Sequence, residues 1–343
     1  MFPFTSKNLI GIDIGSYSVK VVSFSGKPGS YSLKAAACFK LPREGGQSVP
    51  ATPGLLAEIV KSQKLKGSRA ATLITGSSLV FRHIYLPKMP EKDLKEAVRW
   101  EIRKETSIPP EEIVADYTLS NGSKEENRLS LIAFAARKGD IEKIMSMFRE
   151  ADIDLRVVEA VPTALLASFH LNNSWEDGIN YGVLDIGDSK STLAIFKNKK
   201  LAFAREIPSA GQRFTTALAD GLRIDEAQAE ELKITYGLNM PEKETAAKGI
   251  LASAIEGLCA ELHRSFNFYQ AQFREGSVQK LFLSGGTARL KGIEGFITEA
   301  VGIPCFADDP FRGVKIPQNM DKQTISAMAP CLTIAAGLAS RNP

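Results

Sequence analysis

Basic blocks, sustained apolar runs, paired cysteines and histidine clusters are all missing from this 343-residue sequence, and each absence removes a class of function. No stretch approaches the roughly 18 consecutive apolar residues that a bilayer-spanning helix needs. Even SLVF and LIAFAA are interrupted at once by charged or turn residues, which excludes a transmembrane role. The start, MFPFTSKNLIGIDIG, has neither a basic leader nor an apolar core before a small-residue cleavage site. It does not read as a secretion signal, and a cytoplasmic protein is expected. Four cysteines, Cys38, Cys259, Cys305 and Cys331, are scattered without a Cys-x-x-Cys pair and read as reduced, buried thiols. His83, His170 and His263 lie far apart with no Asp or Cys at ligand spacing, so no metal or nucleophile role is expected of them. The 43 basic and 39 acidic residues are mixed, and the net charge of +4 without a Lys/Arg block argues against a nucleic-acid surface.

What is present is ordinary globular material, 44% hydrophobic and 24% charged, in a chain long enough for two cores. Two segments align without gaps: LIGIDIGSYSVKVVSF, residues 9–24, and YGVLDIGDSKSTLAIF, residues 181–196. Each is an apolar alternating run, an Asp, a Gly turn and a second β-branched run, which predicts strand, tight turn and strand. Two distant copies predict a duplicated α/β domain.

Between the copies the pattern predicts a strand over Ala71 to Thr75 and a helix from about Glu91 to Thr106, with Leu94, Val98 and Ile102 on one face. The breaker SIPPEE, the strand candidates DYTLS and LSLIAFAA, and the loop SNGSKEENR complete an inserted α/β unit over residues 81–138, after which a helix from Asp140 to Ala151 resumes the lobe. Beyond the second copy, helices are predicted over residues 223–236, closed by Gly237, and from Thr245 to Arg274, forming a second insert over residues 223–278. A third glycine turn, KLFLSGGTARLKGIEGFI, and a small-residue helix, MAPCLTIAAGLAS, follow. The expected division is residues 1–80 with 139–176 for one lobe core and 177–222 with 279–343 for the other.

A phosphate chain needs backbone N–H groups brought close to its oxygens, which Gly and small residues permit, and a carboxylate to organise hydrated magnesium. Both hairpins offer this. Asp13 and Gly15 alternate with Ile12 and Ile14, so the carboxylate faces a cleft while the isoleucines enter the core. Ser16, Tyr17 and Ser18 supply turn donors, and Lys20 is a point charge within reach of a phosphate. A single Asp-x-Gly is equally a plain hairpin turn, but its duplication brings Asp13 and Asp185 toward one site, and magnesium takes one or two carboxylates through its waters. Ser284 to Thr287 form a strand, Gly-Gly and helix start, suited to a flat base or a phosphate and equally to a tight β-to-α connection.

In this order the three turns resemble the phosphate 1, phosphate 2 and adenosine motifs of the actin-like ATPases, over nearly the whole chain. The resemblance implies two RNase H-like lobes (1A and 2A), with residues 81–138 similar to the 1C subdomain of the FtsA branch and residues 223–278 as 2B. The run YLPKMPEKDLKEAVRWEIRKETSIPPEEIVADY, residues 85–117, and the closing MAPCLTIAAGLASRNP narrow the resemblance to the PilM family of type IV pilus assembly proteins, without the appended membrane helix of FtsA. Carried over by position, Asp13 and Asp185 orient Mg2+, and Gly15, Ser16, Tyr17, Ser18, Lys20, Gly187, Asp188 and Ser189 line the phosphates of ATP or ADP. Glu230 and Lys233 are assigned to the ribose, with a solvated surface pair as the bland alternative, and Gly211 is placed in the nucleotide-binding set without a subsite. Gly285, Gly286 and Thr287 fall to the adenosine, and Arg289 is also counted as nucleotide-binding.

Two departures from the family pattern stand out. Asp188 replaces a Gly in DIGDSKST, and Val161 precedes Pro162 where relatives carry a water-orienting Glu, leaving Glu159 as the nearest carboxylate. Binding is therefore expected over turnover. By resemblance the partner is the cytoplasmic N-terminal tail of a PilN-like inner-membrane protein, bound in a groove beside Ala71 to Tyr85, with pilus platform and motor components beyond it and homo-oligomers left open. An active ATPase or small-molecule kinase and an FtsA-like filament are the competing readings. Trp100 is expected to pack inside the first insert, and Phe266, Phe268, Tyr269 and Phe273 to fill the second lobe's core.

Overall fold

The computed structural model describes residues 9–44, 47–74, 79–120, 127–172, 175–273 and 276–341. The two aligned segments are hairpins at equivalent places in two similar sheets. β1 (Ile10–Ile14) turns into antiparallel β2 (Ser18–Ser25), and β3 (Ser32–Lys40) extends the meander. A short pair, β4 (Arg43–Glu44) and β5 (Gln47–Ser48), precedes helix α1 (Pro53–Ser62), whose Thr52 hydroxyl accepts from the Leu55 N–H as an N-cap. The chain returns along β6 (Arg69–Leu73), parallel to β1. Thr75, the expected end of that strand, lies outside the described residues.

The first insert is a three-stranded antiparallel sheet covered by one helix. β7 (Val80–Pro87), α2 (Glu91–Arg103), β8 (Ile113–Leu119) and β9 (Arg128–Arg137) give the order β7-β9-β8. Leu94, Val98 and Ile102 of α2 pack on Ile84, Leu131 and Ala133, as the periodicity predicts. Acidic Glu91 and Asp93 in its first turn and Arg103 in its last complement the helix dipole. The helix ends at Arg103, short of Thr106, and the Pro109–Pro110 pair beyond it disfavours helical backbone at Ile108. Trp100 corrects the expectation of internal packing: it is 59% exposed, opposite the buried stripe, with the Arg103 guanidinium 4.5 Å from its ring centroid.

α3 (Lys138–Glu150), β10 (Asp154–Glu159) and α4 (Val161–Leu171) complete the first half, and β10 lies parallel beside β6. The second half repeats the plan with β11 (Tyr181–Ile186), β12 (Ser191–Lys197) and β13 (Lys200–Ile207), then α5 (Gly211–Leu222), α6 (Glu226–Tyr236) and the 29-residue α7 (Thr245–Phe273). Arg274, the expected end of α7, lies outside the described residues. β14 (Lys280–Ser284), α8 (Ile293–Val301), β15 (Cys305–Ala307) and α9 (Lys322–Ala339) follow. The sheet orders are β10-β6-β1-β2-β3 and β13-β12-β11-β14-β15. In each, the hairpin's first strand is central, with two antiparallel strands on one side and two parallel strands on the other.

The halves exchange helices. α4 follows the first sheet, yet its Leu165 and Phe169 join Tyr181, Phe196 and Phe282 of the second. α9 follows the second sheet, yet its Ile325, Leu332 and Ala336 pack on Val22, Phe24 and Leu33 of the first. The two helices cross at Gly337, where an added Cβ would lie 2.0 Å from the Ala164 carbonyl oxygen. Pro330 sits inside α9, and its carbonyl accepts the Gly285 N–H at 2.7 Å.

Two further expectations are corrected. Phe266 and Tyr269 are buried and Phe273 partly so, but Phe268 is 52% exposed, at the rim of the core with its ring against Phe203 and Phe273. Cys38 is exposed on edge strand β3, whereas Cys259, Cys305 and Cys331 are buried. Among the described residues no helix is long and apolar enough to cross a membrane.

Candidate functional site

Both hairpins end their first strand with a carboxylate, and the fold turns the two toward one cleft. Asp13 is 5% exposed at the end of β1 and is paired with the Lys20 ammonium at 3.1 Å. Their positions are in register across the hairpin, so the pair follows from the strand pairing itself. Burial would lower the Lys20 pKa, but Asp13, with Asp185 further off, outweighs it and the value ends above that of an ordinary lysine. Asp185, at the end of β11, accepts a hydrogen bond from the Ser284 hydroxyl at 3.0 Å. Burial, and then the charge of Asp13, push its carboxyl up to about 6, against a smaller opposing pull from Lys20. Asp13 and Asp185, one carboxylate from each hairpin, are a donor set suited to a hydrated divalent cation.

The turns themselves meet. Ser16 and Asp188 occupy equivalent positions in the aligned hairpins, and the Ser16 hydroxyl donates to Asp188 Oδ2 at 3.0 Å across the cleft. The Gly15 N–H is satisfied by the Ser18 carbonyl and the Gly187 N–H by the Lys190 carbonyl, which closes each turn. Ser18 is buried at the start of β2, and Ser189 is exposed. Tyr17 carries two cations over its ring, Lys40 Nζ at 5.8 Å and Arg43 Cζ at 5.5 Å from the centroid. Arg43 also donates to Gln212 at 3.1 Å, and Gln212 in turn to Glu226 at 3.2 Å, a second polar link between the halves.

Gly211, first residue of α5, is where three motifs converge. Its N–H donates to the Gly187 carbonyl at 3.1 Å, and that carbonyl also accepts from the Thr287 hydroxyl at 2.8 Å. Lys233 donates to the Gly211 carbonyl at 3.0 Å and to Thr215 at 2.7 Å, and pairs with Glu230 at 2.6 Å. A Cβ on residue 211 would fall 2.5 Å from Thr287 Oγ1, so only glycine permits this approach. Lys233 is buried and Glu230 largely shielded, rather than a solvated pair, with side chains 7% and 12% exposed. Gly285 takes φ +90°, with its Cα against Ile186. Gly286 is exposed, and Arg289 donates to Cys331 Sγ at 3.7 Å.

Glu159 is committed elsewhere: it accepts from the Thr163 hydroxyl and pairs with Arg341 at 2.5 Å. Sequence reasoning named none of Arg43, Gln212, Thr215 or Asp308 and gave Ser284 no role of its own. Asp308 lies just past β15, 2% exposed, bonded through Oδ2 to Thr333 of α9, and burial pushes its carboxyl up to about 6. Ser284 could have been found, since it ends the strand that reads into the third glycine turn.

Comparison with known proteins agrees with this architecture. The sequence profile of the family described as "Type IV pilus assembly protein PilM" matches residues 11–343. The structure is similar to that of a PilM-PilN type IV pilus biogenesis complex, with TM-score 0.83 and 27% identity, covering 98% of this chain and all of that one. MreB 5 of Spiroplasma citri bound to AMPPNP shares the fold at TM-score 0.50 and 14% identity, over 97% and 95% of the two chains. The cell division protein FtsA of Pseudomonas aeruginosa is 25% identical over 179 residues, 46% of this chain and 42% of its own length, so the match spans less than half of that relative. The fold is that of the actin-like ATPases, and the chain belongs to the type IV pilus assembly protein PilM family.

Proposed function

We propose that the chain is a nucleotide-binding adaptor: it holds ATP or ADP with Mg2+ in the cleft between its halves and docks, on the cytoplasmic face of the inner membrane, on the N-terminal tail of a PilN-like protein. The observation that carries the nucleotide part is the convergence of the second hairpin turn, the third glycine turn and Lys233 on Gly187 and Gly211, with the first hairpin turn joined to the second through Ser16 and Asp188. In this reading the two carboxylates hold magnesium through its waters, Lys20 and the turn residues face phosphates, Glu230 and Lys233 flank the ribose, and Gly285 to Arg289 flank the base. Magnesium would supply charge neutralisation of the phosphates.

The partner part is supported by the full-length likeness to a PilM found in complex with PilN. β7 is an edge strand of the first insert, so an extended tail can add beside it. Slow turnover at most is expected, because Glu159 is held by Arg341 and Thr163 rather than directed at a nucleophilic water. Calorimetric titration with Mg-ATP and Mg-ADP, then with a synthetic tail peptide of the PilN-like protein, tests both parts. Wild type is expected to bind nucleotide, Asp185→Ala to lose at least ~10-fold in affinity, and the peptide to bind stoichiometrically. Equal nucleotide affinity in the variant would defeat the cleft assignment, and a silent peptide titration the adaptor.

A further inference from the structure

We infer that Asp188 sets which nucleotide the cleft prefers, biasing it toward a nucleoside diphosphate over the triphosphate; this rests on the nucleotide reading above and assigns a selectivity residue within the same site. The internal duplication makes Asp188 the counterpart of Ser16, and the 3.0 Å hydrogen bond between them closes the gap between the two turns. A polyphosphate lying between the turns brings its terminal group to that gap. Where the first turn offers a neutral hydroxyl, the second offers a carboxylate.

The turn that carries this carboxylate is held in place, and the carboxylate has a hydroxyl but no cation as partner. The Asp188 carbonyl accepts the Gln212 N–H at 2.7 Å, and the neighbouring Gly187 carbonyl is held by Gly211 and Thr287, so the second turn is pinned to α5 and to the third turn. Nearby cations are engaged elsewhere: Lys190 pairs with Glu206, Lys20 with Asp13, and Arg43 donates to Gln212. Among the described residues none forms an ion pair with Asp188. A terminal phosphate must therefore break the Ser16 link and sit against an unneutralised like charge. A diphosphate, one group shorter, leaves the link closed.

The test is calorimetric titration of the full chain with ADP and with ATP, each with and without Mg2+, for wild type, Asp188→Asn and Asp188→Gly, with melting curves to confirm that all three are folded. Wild type is expected to prefer ADP by ~10-fold, and both variants to bring the ratio close to one by tightening ATP while ADP moves less than ~3-fold. An unchanged ratio overturns the inference while leaving the nucleotide reading intact. Loss of affinity for both nucleotides only when Mg2+ is present also overturns it, by making Asp188 a metal-holding group. Failure of folded wild type and variants to bind either nucleotide removes the nucleotide reading and this inference with it.

Discussion

At the scale of single residues, the buried acids set a pH dependence whose sign follows from their environment. Asp308 has one carboxylate oxygen bonded to Thr333 and the other without a partner among the described residues, and its carboxyl is raised to about 6. Between the ordinary carboxylate range and that value the folded protein binds more protons than the unfolded chain, so this group's contribution to stability falls as pH rises through the window and is least favourable above it. Asp308→Asn removes the titration while retaining an acceptor for Thr333. Denaturant melts at about pH 5 and about pH 7.5 should show the variant gaining on wild type with rising pH, by on the order of 2 kcal/mol at the upper value. A difference that does not grow with pH would mean that Asp308 is stabilised as a carboxylate by some other group.

At the scale of elements, the apolar stripe of α2 and the helix crossing at Gly337 make opposite predictions about tolerance. Ile102 is fully buried against the insert's sheet, and Ile102→Ala should cost ~2–4 kcal/mol. Trp100, two residues earlier and on the opposite, exposed face of α2, should change stability by less than ~0.5 kcal/mol on replacement by Ala, despite its size. Gly337→Ala adds one methyl group and should still cost at least ~2 kcal/mol, because the new atom meets backbone of α4 rather than a flexible side chain. Thermal melts of the three variants check the ranking. The same elements show what could be read in advance. The stripe Leu94, Val98 and Ile102 was legible because its period is helical, and the wheel that buries those three also turns Trp100 outward. The mixed spacing of Phe266, Phe268, Tyr269 and Phe273 hid the fact that Phe268 sits at the rim of the core, half exposed. Asp13 and Asp185 stood out because the motif occurs twice. Arg43, Gln212 and Asp308 did not, since sheet register and helix crossings bring them to the cleft from distant parts of the chain, leaving no local pattern.

At the scale of the whole molecule, the exchanged helices tie the halves together more firmly than the polar links across the cleft. Phe169 of α4 contacts the rings of Tyr181, Phe196 and Phe282 at 5.0–5.5 Å between centroids, within the second half's sheet. Residues 1–174 and 175–343 produced separately should therefore each expose an apolar surface and aggregate or stay largely unfolded, while their co-expression should recover a soluble complex. Size-exclusion chromatography and circular dichroism of the separate and joint products distinguish these outcomes. Independent folding of either half would show that the exchange contributes little.

The placement of α9 also imposes an order in time. The face of the first sheet formed by Val22, Phe24 and Leu33 is covered by α9, near the end of this sequence, and so stays bare while the ribosome makes everything between. The amino-terminal half, though synthesised first, is the last to be sealed. Until α9 is made the nascent chain lacks the cover for this apolar surface, and a message cut short before Lys322 yields a product that leaves it bare.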